Sequence, residues 1–111
     1  MSVQKLEAVL TEALPVAAED FPHVYGKDFA TGTSGGTPLT MGMFRMNKGE
    51  AFPYSYEFDE FKLVVEGTVT VTEEDGTATD FKAGDVIQFG SGSNVKFSSD
   101  DSSLMLYVAS R

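Results

Sequence analysis

Four side chains in one short stretch carry the groups that acid–base chemistry needs: Tyr54, Tyr56, Glu60 and Lys62. A carboxylate can take or give a proton, a phenol can donate one, and an ammonium can hold a carboxylate or enolate as charge develops. Alternation along a strand places Glu60, Lys62 and Val64 on one face, so a cavity that receives Glu60 receives Lys62 as well. In a dry site this pair supports its own ionisation, and the same contact would equally serve as a structural salt bridge. Three further residues are candidates for holding a ligand. Arg45 shares its parity with Met41 and Met43, and the expectation is that it points inward and pairs with Glu60 or Glu66. Gln88, the strongly polar residue of VIQF, offers an amide, and Glu57, with Asp59 nearby, adds a carboxylate.

The neighbouring aromatic residues, Phe52, Phe58 and Phe61 with the two tyrosines, read as core and lid before they read as a stacking platform. His23, the single histidine, lies beside Pro22, where a loop or edge-strand position is expected. Neither GTSGGTP nor GSGSN is a phosphate cradle, since both lack the lysine and the strand-to-helix setting that such a loop requires.

These side chains must be positioned by a chain of 111 residues, enough for one domain with a single core. With 41% hydrophobic and 12% aromatic residues the chain is expected to fold. A net charge of −9 opposes phosphate backbones and anionic lipid, so neither nucleic acid nor a membrane is an expected partner. No apolar run approaches the ~20 residues of a membrane helix, and MSVQKLEAVL lacks the pattern of a secretory signal. The expected location is cytoplasmic. Without cysteine there is no disulfide framework, thiolate nucleophile or thiolate metal site.

From Leu39 onward the pattern is strand after strand. Leu39–Met46, Phe61–Glu66, Thr68–Glu73, Thr77–Phe81, Val86–Phe89, Val95–Ser98 and Leu104–Ala109 are predicted strands, with turns at Gly67, Asp75-Gly76 and Gly84-Asp85. Phe21–Tyr25 suggests an edge strand. Leu6, Val9, Leu10, Ala13 and Leu14 have helical spacing ended by Pro15, which predicts a short helix or an arm resting on a partner subunit. The fold class is all-β, a sandwich or barrel. Residues 1–38 form an arm and first strands within the same domain, and residues 39–111 form the barrel.

Two spaced motifs sharpen this. Gly49, Tyr54, Tyr56, Glu60 and Gly67 resemble the first cupin motif, with tyrosines where its two histidines stand. Gly84-Asp85-Val86 and Gly92 resemble the second, with Gly90 where it has proline, Val95 where its histidine stands and Ser99 where an asparagine often stands. Within the cupins, GMFRM, FP, the aromatic and acidic residues after it, VVEGTVTV, GDV and LYV resemble the EutQ branch, named for ethanolamine utilisation. The resemblance implies a double-stranded β-helix, or jelly-roll barrel, and a homodimer. It also implies a cupin frame in which the imidazole metal ligands are gone, because valine cannot ligate and a phenol with pKa ~10 is a poor ligand at neutral pH.

The expected function is therefore that of a metal-independent cupin that needs no cofactor. It binds a small polar or anionic metabolite and uses Glu60, Tyr54, Tyr56 and Lys62 for proton transfer, isomerisation or elimination. The alternatives are a non-catalytic accessory protein of a metabolic assembly, the acetate-kinase-like activity proposed for EutQ, and a metalloenzyme built on the Glu57, Asp59 and Glu60 carboxylates.

Overall fold

The computed structural model describes residues 3–111, and among these it contains strands and turns but no helix. The strands are β1 (Val16–Ala18), β2 (Phe21–Gly32), β3 (Leu39–Asn47), β4 (Phe52–Ser55), β5 (Glu60–Glu73), β6 (Ala78–Lys82), β7 (Val86–Phe89), β8 (Asn94–Ser98) and β9 (Ser102–Ala109). All pairings are antiparallel. One sheet runs β1-β2-β3-β9-β5-β7 and the other β6-β5-β8-β4. The chain is a jelly-roll-like all-β fold.

Strand β5 belongs to both sheets, which is how the barrel closes. Its first half pairs with β7 and β9, its second with β6 and β8. The two predicted strands on either side of Gly67 are thus one strand, and Gly67 is a bend within it. Gly67 has φ 75°, and a side chain there would overlap the Ser102 carbonyl. A register shift between Val64 and Glu66 accompanies the bend. The buried positions accordingly change from Glu60, Lys62 and Val64 to Val69 and Val71.

Val64, Val69, Val71, Ile87, Phe89, Phe97 and Met105 pack between the sheets. Pro53 is accommodated because β4 lies at a sheet edge, where a missing N–H leaves no ladder bond unmade. The glycine turns form where expected: Gly76 and Gly84 have φ 90° and 97°. The Asp85 carboxylate accepts the Lys82 amide at the second turn.

The predicted N-terminal helix does not form. Residues 7–11 are turns, with Ala8 at φ 53° and its carbonyl accepting from Thr11 and Glu12. So short an amphipathic segment gains too little from helical hydrogen bonds to offset nucleation, and Leu6 and Leu10 stay 42% and 46% exposed. The segment instead lies as an arm beside Tyr25, Arg45 and Leu104.

Candidate functional site

Strand pairing lines up one row of residues across the first sheet. Asp28 faces Gly42, Gly42 faces Tyr107, and Tyr107 faces Lys62. Glu60 lies one inward position before Lys62 on β5, and Tyr56 approaches from the segment after β4. These side chains, with Tyr54 and Arg111, bound a cavity of about 320 Å³.

At its floor lies a buried three-residue contact. The Lys62 ammonium and the Tyr56 hydroxyl both donate to the same oxygen, Glu60 Oε2, each at 2.6 Å. Glu60 and Lys62 are 4% and 5% exposed. The Lys62 ammonium is also surrounded by aromatic rings, with centroids at 4.8 Å for Tyr107, 4.9 Å for Phe44, 5.7 Å for Phe97 and 5.9 Å for Phe89. Such faces attract a cation electrostatically. Burial pushes the Lys62 pKa down, against the pull of Glu60. Tyr56 stacks on Phe89 at 4.6 Å and 15°. Burial first, and then the Glu60 charge, drive the Tyr56 pKa far above the ordinary phenol value. Tyr54, half-buried and edge-on to Tyr56 at 4.7 Å, is raised by the same two causes.

A second ion pair stands at the mouth. The Arg111 guanidinium donates to both Asp28 oxygens, each at 3.0 Å, and the Tyr107 hydroxyl donates to Asp28 Oδ1 at 2.5 Å. The guanidinium lies 5.3 Å from the Phe58 centroid and 5.7 Å from that of Tyr107. The Arg111 hydrogen bonds hold the Asp28 carboxyl below the usual carboxylate range, burial working against them and Tyr107 with them. Tyr107 thus spans both pairs, its ring over Lys62 and its hydroxyl on Asp28.

Tyr54, Tyr56, Glu60 and Lys62 therefore share one cavity, whereas the three other candidates do not line it. Arg45 points to the outer face of the first sheet, contrary to expectation, where it donates to Ser102 Oγ at 3.0 Å and meets Glu66 at 3.5 Å. The inward set on β3 is Thr40, Gly42, Phe44 and Met46, and apolar residues on both faces of the strand concealed this parity. Gln88 is on the exposed face of β7 and Glu57 is exposed outside the cavity lining. His23 lies on β2, so of the two settings expected for it the strand holds and the loop does not. It hydrogen-bonds the Glu50 carbonyl at 2.7 Å and packs so closely on Gly49 that any side chain there would collide with it. Asp28 and Arg111 lie in no motif, and Tyr107 belongs to one only as the centre of LYV. They are 79 and 83 positions apart and carry no local spacing signal.

The cupin frame implies a metal ion, and the residues present do not suit one. Val95, which faces Tyr54 across β4 and β8, has no donor atom. Tyr56 holds its proton more firmly than a free phenol, and the Lys62 ammonium already neutralises Glu60. A divalent ion beside Glu60 would meet that ammonium as a like charge. Among the described residues no three His, Cys, Asp or Glu side chains converge, and Asp59 is instead engaged by the Ser91 amide.

Comparison with known proteins gives four findings. The family described as ethanolamine utilisation protein EutQ matches residues 6–110. The acetate kinase EutQ of Escherichia coli is 36% identical over 89 residues, covering 79% of this chain and 37% of that protein. The chain thus spans under two-fifths of that relative's length. The EutQ structure from Clostridium difficile is 30% identical with a TM-score of 0.68, covering 78% of this chain and 61% of that one. A cupin superfamily protein from Desulfitobacterium hafniense shares the fold, with a TM-score of 0.68 at 15% identity over 97% of this chain and 91% of its own.

Proposed function

The chain belongs to the EutQ family of small cupins, and from that premise we propose that it binds a small polar or anionic metabolite between its sheets and moves a proton there without a resident metal ion. The observation that carries this is the convergence of Tyr56 and Lys62 on one oxygen of Glu60. A carboxylate so held can take a proton from a bound molecule, and the adjoining phenol and ammonium can stabilise the charge that results. Tyr54 on the wall is a second phenol within the cavity. Arg111 supplies a second cation at the mouth, which an anionic ligand can engage. Asp28 occupies that guanidinium in the free protein and a ligand carboxylate would exchange with it.

A non-catalytic reading is favoured by one observation: no buried side-chain nitrogen or oxygen among the described residues lacks a partner. The same contacts would then only shape a binding pocket for an accessory protein. A thermal-shift screen against small acids, sugars, amino alcohols and nucleotides, with acetate plus ATP as one arm because of the relatives' name, tests both. Stabilisation of wild-type protein that is lost in Lys62→Ala or Glu60→Gln, together with turnover of the stabilising ligand, supports proton transfer. Stabilisation without turnover favours the accessory reading, and full activity in both variants refutes the roles given to Glu60 and Lys62.

We also propose that a second copy packs on the outer face of the first sheet. Phe61, Leu63 and Val86 stand 49%, 39% and 59% exposed on β5 and β7, next to Leu106 and Val108 of β9. Adjacent apolar side chains on a sheet face gain by being covered.

A further inference from the structure

The donor and acceptor count around Lys62 is unusual. An ammonium has three N–H donors, and among the described residues Glu60 Oε2 alone accepts from Nζ. The rings of Tyr107, Phe44, Phe97 and Phe89 stand about the nitrogen, and its open side lines the cavity. Such a site is poor in acceptors for an ammonium. It matches a cation with a single N–H, an iminium, which would keep the Glu60 hydrogen bond and the aromatic surroundings and lose nothing.

From this geometry we propose that Lys62 is a carbonyl-capturing amine, forming a reversible imine with a small aldehyde or ketone in the cavity. The step balances with Glu60 as proton shuttle. Lys62 passes one proton to Glu60 across the 2.6 Å contact, and its freed lone pair forms the C–N bond to the carbonyl carbon. Glu60 returns that proton to the carbonyl oxygen and takes a second from nitrogen, leaving a carbinolamine. It then protonates the hydroxyl, the C–O bond breaks, and one water departs. An ammonium, a carboxylate and a carbonyl have become an iminium, a carboxylate and water, with no change in net charge. Burial assists the first step because it penalises the charged amine. The capture uses the cavity described above but stands independently of proton transfer on a bound metabolite.

Reductive trapping tests it on the folded wild-type protein. Propanal or pyruvate is added at neutral pH with sodium cyanoborohydride, and the lysines are then mapped by peptide mass spectrometry. Exposed lysines lack the desolvating pocket that activates an amine, so Lys62 should exceed Lys5, Lys48, Lys82 and Lys96 by about tenfold or more. That excess should vanish in denaturant and fall in Glu60→Gln, which removes the shuttle. Labelling of Lys62 no greater than that of the surface lysines in folded protein overturns the proposal, as does undiminished labelling in Glu60→Gln. Failure here leaves the thermal-shift result for the metabolite site untouched, so the two readings are separated.

Discussion

Gly42 and Tyr107 face each other on β3 and β9, and the missing side chain of Gly42 opens the path by which the phenol reaches Asp28. A Cβ at Gly42 would overlap both the Tyr107 hydroxyl and the Lys27 carbonyl. The phenol can swing away, but the Lys27 carbonyl is held by strand pairing, so the backbone must shift as well. Gly42→Ala is therefore expected to cost about 1–3 kcal/mol, the usual range for overpacking a core. It should also break the hydroxyl contact to Asp28. Chemical denaturation gives the first effect, and Tyr107→Phe separates loss of the hydrogen bond from the clash. A Gly42→Ala protein as stable as wild type would contradict this placement.

The buried Lys62–Glu60 pair gives a prediction about coupling. Removing one member leaves the other charged and dry, so Lys62→Met and Glu60→Gln should each lose about 3 kcal/mol. In the double variant neither charge remains, and the loss should fall short of the sum by about 2 kcal/mol. Strict additivity in denaturant titrations would mean that the two side chains do not stabilise each other as the 2.6 Å contact requires.

The tyrosines set the alkaline limb. Tyr54, Tyr56 and Tyr107 all have pKa values raised above 10.0, chiefly by burial, with Asp28 adding to the effect at Tyr107 and Glu60 at the other two. A group raised in the folded state contributes stability that is whole below its unfolded pKa and is lost as pH climbs through the folded one. Stability should therefore hold up to about pH 10 and decline beyond it as unfolding releases these phenolic protons. Tyrosinate absorbance in the folded protein should lag behind that of the denatured chain, and Tyr56→Phe should remove part of the late signal. Coincident titration of folded and denatured protein would be inconsistent with buried phenols.

Association offers a further check. If the Phe61, Leu63 and Val86 face is covered by a second copy, wild-type protein should sediment as a dimer at micromolar concentration. Phe61→Glu combined with Leu63→Glu should then yield a folded monomer, since both side chains point away from the core. A wild-type monomer at that concentration would exclude the arrangement.

The sequence alone determined the local and periodic features. Valine and threonine alternation specified strands, glycines at Gly76 and Gly84 specified turns, and i, i+2 spacing placed Glu60 and Lys62 on one face. Each rests on backbone conformation or side-chain direction within a few residues. Where both faces of a strand are apolar, as on β3, alternation loses its meaning, and the outward direction of Arg45 is not legible from it. The N-terminal segment had helical spacing but not the length to form a helix alone. The mouth of the cavity was decided only by tertiary structure. Asp28, Tyr107 and Arg111 meet because β2, β3 and β9 pair in one register over a side-chain-free Gly42. So too were the rings around Lys62, drawn from β3, β7, β8 and β9. Contacts between distant strands depend on register, bend and closure together, which no local pattern encodes.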